Sequence, residues 1–270
     1  MAKTDLTIVI PVHTIEGDTI KWLEKAVESV KAQKVKPDAL LIVTSDNKEV
    51  TEEVNKIKFG SLKKNTKVIT NDTGKTDFCS QVNFAVTKVE TEYFSVLELD
   101  DEYSNIWVDN FVNYKTHYGD VSLFLPIIVD TDVSGKYINT TNEAVWALQF
   151  SDELGILDNS SLLEYPNFSF TGGVMKKVDF EDVGGFKTSM RLTFIYEFLL
   201  RVTYNDLKVM TIPKYGLKHT NMRSGSLFYT YKNGDTAITS DEAKFWMDTA
   251  KKEYFFTEDR EITFEEKATA

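Results

Sequence analysis

Four short, β-branched apolar runs in the first hundred residues alternate with segments whose apolar residues recur at helical spacing, and no other feature narrows the fold as far. Leu6-Thr7-Ile8-Val9-Ile10-Pro11-Val12 is the first run, closed by a proline and better suited to a buried strand than to a helix. Residues 18–34 put Ile20, Leu23, Val27 and Val30 at helical spacing, with Asp18 placed to cap the N-terminus. A second strand is expected at 39–44, ending at Ser45-Asp46-Asn47, then a short helix at 51–57. A third strand at 66–70, a helix at 78–88 and a fourth strand at 93–99 follow. This rhythm argues for right-handed crossovers and a mostly parallel sheet in an α/β fold.

Half of a Rossmann-like, doubly wound nucleotide-binding domain would show this pattern. Its usual glycine fingerprint is absent, since Gly17 and Gly74 stand alone. Beyond residue 103 the spacing predicts a helix at 107–114, a strand at 121–129 and a hairpin around Asp132-Val133-Ser134-Gly135-Lys136. A strand at 168–175 containing Gly172-Gly173, a turn at Val183-Gly184-Gly185-Phe186 and a helix at 194–205 come next. A strand at 208–212 is stopped by Pro213, and Thr239-Ser240-Asp241-Glu242 offers a capping box for a helix to about residue 254. The acidic, polar tail 257–270 is expected to be loosely held. No linker or repeat marks an independent unit, so the expected division is 1–103 as one half, 104–238 as the second half of the same domain, and 239–270 as a terminal helix and tail.

A hydrophobic content of 42% over 270 residues is enough for a sizeable core. The net charge of −11 repels nucleic acid at long range, and Lys63, Lys64 and Lys67 are too few for a basic patch. No apolar run reaches the roughly 20 residues of a membrane helix, and no signal-peptide core precedes the first strand, so a soluble, cytoplasmic protein is expected. Cys79 is the lone cysteine, which excludes an internal disulfide and a thiolate cage.

The chemistry concentrates where the fourth strand breaks into acids. Glu98, Asp100, Asp101 and Glu102 fall within five positions, at the strand's carboxyl end, where open α/β sheets bind ligands. On a strand Glu98 and Asp100 would share a face, and Asp101 could turn inward past the last ladder bond. Such carboxylates can hold Mn²⁺ or Mg²⁺ together with a substrate's phosphates; an acidic, hydrated loop is the plain alternative. Asp46, at the end of the second strand, could bind a base or ribose, or merely form a turn. His219 follows a strand and could complete a metal's ligand set or serve the structure. Arg223, in Arg223-Ser224-Gly225-Ser226, suits a diphosphate clamp or an ordinary surface loop. Gly172 and Gly173 could form an acceptor platform or a bulge.

In this order the residues resemble the family-two glycosyltransferases of GT-A fold, over about residues 6–226. The opening Ile8-Val9-Ile10-Pro11-Val12-His13 looks like the family's first strand. Ser45-Asp46 is similar to its nucleotide-holding acidic pair with the first acid replaced, and Asn83 falls on the Asn of its G-x-x-x-A-x-N helix. Glu98-Leu99-Asp100-Asp101 resembles its Asp-x-Asp-Asp. Gly172-Gly173 through Gly184-Gly185-Phe186 resembles the acceptor segment, and His219 and Arg223 match its late histidine and loop arginine. One departure matters: aligning on Arg201 leaves Phe194-Ile195 where the family carries its catalytic Glu-Asp.

The resemblance implies a GT-A sheet, mostly parallel and mixed, with a nucleotide-sugar-binding half and an acceptor half. It implies an inverting, metal-dependent transfer of sugar from a nucleotide diphosphate, a UDP-sugar, to an acceptor hydroxyl on a glycan, a protein or a hydroxylated DNA base. Glu98, Asp100 and His219 would hold Mn²⁺ or Mg²⁺. Pro11, His13, Asp46, Asn83 and Arg223 would bind the donor, and Gly172 and Gly173 would face the acceptor. Glu197 and Asp101 are the catalytic candidates, with Glu181 and Asp182 in reserve; Glu197 could instead pair with Arg201 one turn on. The string Tyr196-Glu197-Phe198-Leu199-Leu200-Arg201 is similar to small family-two members of tailed phages, some of which modify DNA bases. The missing Glu-Asp leaves a non-catalytic nucleotide-sugar-binding module as the alternative. A nucleotidyltransferase fits less well, because Thr14-Ile15-Glu16-Gly17-Asp18 is acidic where a basic, glycine-rich loop belongs.

Overall fold

The computed structural model describes residues 3–221, 223–224, 226–233 and 237–265, with only the backbone of 227 and 228. β1 (Leu6–Val12), β2 (Ala39–Ser45), β3 (Thr66–Asn71) and β4 (Tyr93–Val96) alternate with α1 (Thr19–Lys31), α2 (Lys48–Asn55) and α3 (Phe78–Thr87). They are followed by β5 (Glu102–Tyr103), α4 (Trp107–His117), β6 (Val121–Thr131), β7 (Tyr137–Thr141), β8 (Ile156–Leu157) and α5 (Asn159–Glu164). The chain then forms β9 (Val174–Lys176), α6 (Lys177–Asp182), α7 (Phe194–Tyr204), β10 (Lys208–Thr220), α8 (Leu227–Lys232) and α9 (Ser240–Glu253).

One mixed sheet runs β3-β2-β1-β4-β9-β6-β10-β5, with β7 paired to β6 and β8 to β10. β3, β2, β1 and β4 are parallel, as the alternation predicts. β9 is antiparallel to both neighbours, and β6 and β10 are parallel again. Helices cover both faces. On β1, Ile8 and Ile10 enter a core with Leu23 and Val27 of α1 and Phe111 of α4. Val9 points the other way, into a core with Val82 of α3 and Phe198 of α7, as the two-residue strand period requires.

Several expected boundaries move for local reasons. α2 begins at Lys48 because Asn47 Oδ1 accepts from the Glu49 and Val50 amides at 2.9 and 3.4 Å. Asp18 occupies the cap position of α1 without capping it; its carboxylate binds Lys21, and the Thr19 hydroxyl closes the turn onto the Glu16 carbonyl. β10 passes through Pro213 because its register against β6 shifts between Thr211 and Tyr215, where the missing amide interrupts no ladder bond. Gly172 and Gly173 lie in a turn ahead of β9, not within a strand.

The tail is not loosely held as far as Glu265. Asp259 accepts from the Thr188 and Ser189 amides and hydroxyls at 2.5–3.2 Å, Arg260 pairs with Glu253 at 2.7 Å, and the Phe264 ring lies 5.3 Å from Phe245. Among the described residues no helix is long and apolar enough to cross a membrane.

Candidate active site

β4 ends at Val96, three residues earlier than its sequence implies, and residues 98–101 form a turn closed by the Asp101 amide donating to the Glu98 carbonyl at 3.1 Å. This turn decides which acids meet. Glu98, Asp101 and His219 each offer a ligand atom within 4.8 Å of the others. His219 arrives from the end of β10, with Nδ1 lying 3.0 and 3.1 Å from the two Asp101 oxygens. The Thr220 amide donates to Asp101 at 3.0 Å, and the Thr171 hydroxyl donates to Glu98 at 3.0 Å.

Asp100 departs from the ligand set expected of it. It stands outside the trio and accepts from Arg223 Nε at 2.5 Å, both side chains being nearly buried. The strand-face rule that grouped Glu98 with Asp100 fails because the strand has already ended.

Burial raises Glu98 to a pKa of about 7, and the charge of Asp101 adds to the rise. Burial raises Asp101 as well, against the pull of His219. Burial alone would lower His219, but Asp101, Glu98 and Asp130 outweigh it and lift the imidazole to about 10. Asp130 stands opposite His219 in the β6–β10 pairing and is held by the Thr141 hydroxyl at 2.8 Å. Two crowded carboxylates and an imidazole match the donor set of Mn²⁺ or Mg²⁺, which would relieve their mutual repulsion.

The expected donor-binding residues separate. His13 is half-buried at the head of a cleft, and burial with the nearby Arg223 charge lowers its pKa below 6.5, leaving a neutral ring. Asp46 is exposed beyond β2, while Ser45 ties the two strand ends together by donating to the His13 carbonyl at 2.7 Å. Pro11 is buried within β1, opposite Val43 of β2. Asn83 is engaged within the fold: its amide clasps Phe186, donating to the carbonyl at 2.7 Å and accepting from the amide at 2.9 Å. Gly225 lies outside the described residues.

Gly172 and Gly173 are buried and offer no acceptor platform. The Gly172 carbonyl accepts from Trp107 Nε1 at 3.0 Å, and a Cβ on Gly173 would stand 2.8 Å from the Phe170 carbonyl. Their compactness serves the turn that brings Thr171 to Glu98.

Glu197 is fully buried, with its oxygens taken by Arg201 at 2.9 Å and Lys187 at 3.1 Å. Lys187 also donates to the Glu253 carbonyl at 2.7 Å, and Arg201 donates to the carbonyls of Val183 and Gly185. An acid so enclosed and doubly paired has no path to an acceptor hydroxyl, which removes it as a base. Glu181 and Asp182 are exposed on the outside of α6, Glu181 lying 3.6 Å from Lys177. Thr171 and Asp130 were missed. A hydroxyl directly ahead of the glycine pair was the available signal for Thr171; nothing local marks Asp130.

Two hollows adjoin this edge of the sheet. One, of about 490 Å³, lies past the ends of β1 and β2 and is lined by Thr14, Ile15, Glu16, Asn47 and the first turns of α2. The other, of about 690 Å³, runs from His13 past Asp77 and Phe78 to the start of α7, α9 and the docked tail.

The glycosyl transferase family 2 model matches residues 7–184. Among solved structures, S. aureus TarS 1–349 in complex with UDP-GlcNAc superposes with a TM-score of 0.63 at 13% identity, covering 90% of this chain and 64% of that one. The same TarS fragment with UDP gives 0.59 at 12% identity, covering 93% and 71%. At these identities the likeness shows a shared GT-A fold, and the chain spans about two thirds of the TarS fragment. No curated protein sequence matches at a significant level. With a family match over most of its length and a curled mixed sheet of GT-A form, the chain belongs to glycosyl transferase family 2.

Proposed function

We propose that the protein is a metal-dependent, inverting glycosyltransferase that moves a sugar from a UDP-sugar to an acceptor hydroxyl. The observation that carries this reading is the Glu98, Asp101 and His219 trio at the carboxyl ends of the parallel strands, with Arg223 beside it. Glu98, Asp101 and His219 would hold the ion, which supplies charge neutralisation at the leaving diphosphate. Thr171 and the Thr220 amide fix the carboxylates, and Asp130 stands opposite His219 in the β6–β10 pairing. Arg223 is placed to exchange Asp100 for phosphate oxygens, and the hollow past β1 and β2 is sized for a nucleoside.

In direct displacement the acceptor oxygen forms its bond to the anomeric carbon as the bond to the diphosphate breaks, the hydroxyl proton passes to an oxygen of the departing diphosphate, and no enzyme nucleophile is needed. The test is UDP release from a UDP-sugar panel with Mn²⁺, with and without acceptors. Asp101→Ala or removal of metal is expected to abolish release; undiminished release from either overturns the assignment.

A second reading has its own observation. Ile195 stands where the family's base belongs, and Glu197 is locked in a buried ion cluster. A non-catalytic nucleotide-sugar-binding module would bind UDP with Mn²⁺ in a calorimeter and turn over no donor across a broad acceptor set.

A further inference from the structure

The larger cleft is built mostly from residues after the family-matched stretch. Its polar wall is Arg191 and Glu242, paired at 3.0 Å, with Phe194 and Trp246 buried behind it, and its open rings are Phe78, Tyr231 and Phe264. Each of these rings is only partly buried. Phe78 rests on Phe194 at 5.6 Å, the Tyr231 hydroxyl donates to the Arg191 carbonyl at 3.0 Å, and Phe264 is carried on the tail that Asp259 pins to Thr188 and Ser189. At about 690 Å³ the cleft falls within the size range of small-molecule sites. It opens beside His13, whose ring feels the charges of Arg223 and Asp100, so it adjoins the proposed diphosphate position.

Its charge excludes a polyanion. Its lining carries two carboxylates, Asp77, which caps α3 by accepting from Ser80, and Glu242, against one guanidinium, Arg191, which Glu242 already neutralises. The whole chain carries a net charge of −11, and nucleic-acid affinity is built on cations set against phosphates. Partly exposed rings beside hydrogen-bonding acids instead match a pyranose, which has apolar C–H faces and a rim of hydroxyls.

We propose that this cleft is the acceptor site and takes an uncharged sugar unit of a glycan, with Phe264 and Tyr231 setting specificity. This rests on the transferase reading and names the substrate class for it. The full chain, with Mn²⁺ and UDP-glucose or UDP-N-acetylglucosamine, should be offered neutral methyl hexopyranosides and disaccharides, and separately a duplex bearing hydroxymethylated pyrimidines. Saccharide binding in the presence of UDP and Mn²⁺ should be followed in parallel by Trp246 fluorescence.

The expected result is transfer to, or binding of, neutral saccharides. Phe264→Ala and Tyr231→Ala variants should bind or use them about tenfold more weakly, the loss of one good contact, while KM for the donor stays unchanged. Donor turnover with the duplex as the preferred acceptor, or saccharide use indifferent to both variants, overturns the acceptor assignment and leaves the transferase reading standing. Saccharide binding in the cleft without any UDP binding would sink the transferase reading and keep the cleft as a sugar site.

Discussion

The imidazole Nδ1 of His219 lies 3.0 Å from Asp101 Oδ1 across 118 residues of sequence, while the adjacent carboxylate, Asp100, turns to Arg223 at 2.5 Å. Neighbouring acids thus differ in their partners, one gathered with Glu98 and His219 and the other held to an arginine.

That division predicts unequal mutants. Asp101→Asn should weaken Mn²⁺ binding by at least the roughly 10–100-fold that even supporting groups at metal sites contribute. Asp100→Asn should change Mn²⁺ affinity far less and act on UDP affinity through Arg223. Titration calorimetry with Mn²⁺, then with UDP, separates the two; equal losses of metal affinity would show that both acids are ligands.

The same cluster sets a pH dependence for the metal-free protein. His219 is raised from 6.5 to about 10, so stabilisation by its charged form is complete below about 6.5 and fades as pH climbs through about 10. Glu98 is raised from 4.5 to about 7, so the contribution of its protonated form is complete below about 4.5 and fades as pH rises through about 7. Both slopes point the same way. In chelator, Tm should fall between pH 6 and 10, and His219→Gln should flatten the alkaline part of the fall. The Tm gained on adding Mn²⁺ should grow over the same interval, because binding displaces protons.

Glu197→Gln removes one charge from between Lys187 and Arg201, all three being fully buried. Breaking such a set costs roughly 3–5 kcal/mol, so a marked drop in Tm is expected. Donor turnover per folded molecule should persist. Abolished turnover at unchanged Tm would restore Glu197 as a base.

Asn83→Ala leaves the amide and carbonyl of Phe186 without their partner, a loss of roughly 1–3 kcal/mol. UDP affinity, measured by calorimetry below the transition, should not change. A selective fall in affinity would put Asn83 back at the donor.

Much of the fold was legible because local signals and tertiary demands agreed. The β-branched runs at β1, β2 and β3 are buried parallel strands, and Asp132 does close the β6–β7 hairpin by accepting from the Ser134 and Lys136 amides. The site was legible in its residue types and less so in its pairings. Choosing Asp101 over Asp100 required the turn after Val96, set by where β4 loses its partners. The role of Glu197 depends on Lys187, which reaches it from a loop outside its helix, so the helical i,i+4 partner Arg201 was visible and the second cation was not. Asp130 acts on His219 through strand pairing, which no spacing in the sequence encodes.

Asn83 grips Phe186, Glu197 is neutralised by Lys187 and Arg201, and β10 fills the sheet beside β6. All of these partners lie past residue 184, where the family-model match ends. The borders of ancestry and of physical autonomy therefore differ in this chain: a fragment trimmed to its inherited signature would strand an internal amide and lose an inner strand. The family match is concentrated toward the front, but the capacity to stand as a folded body is distributed to the last helix.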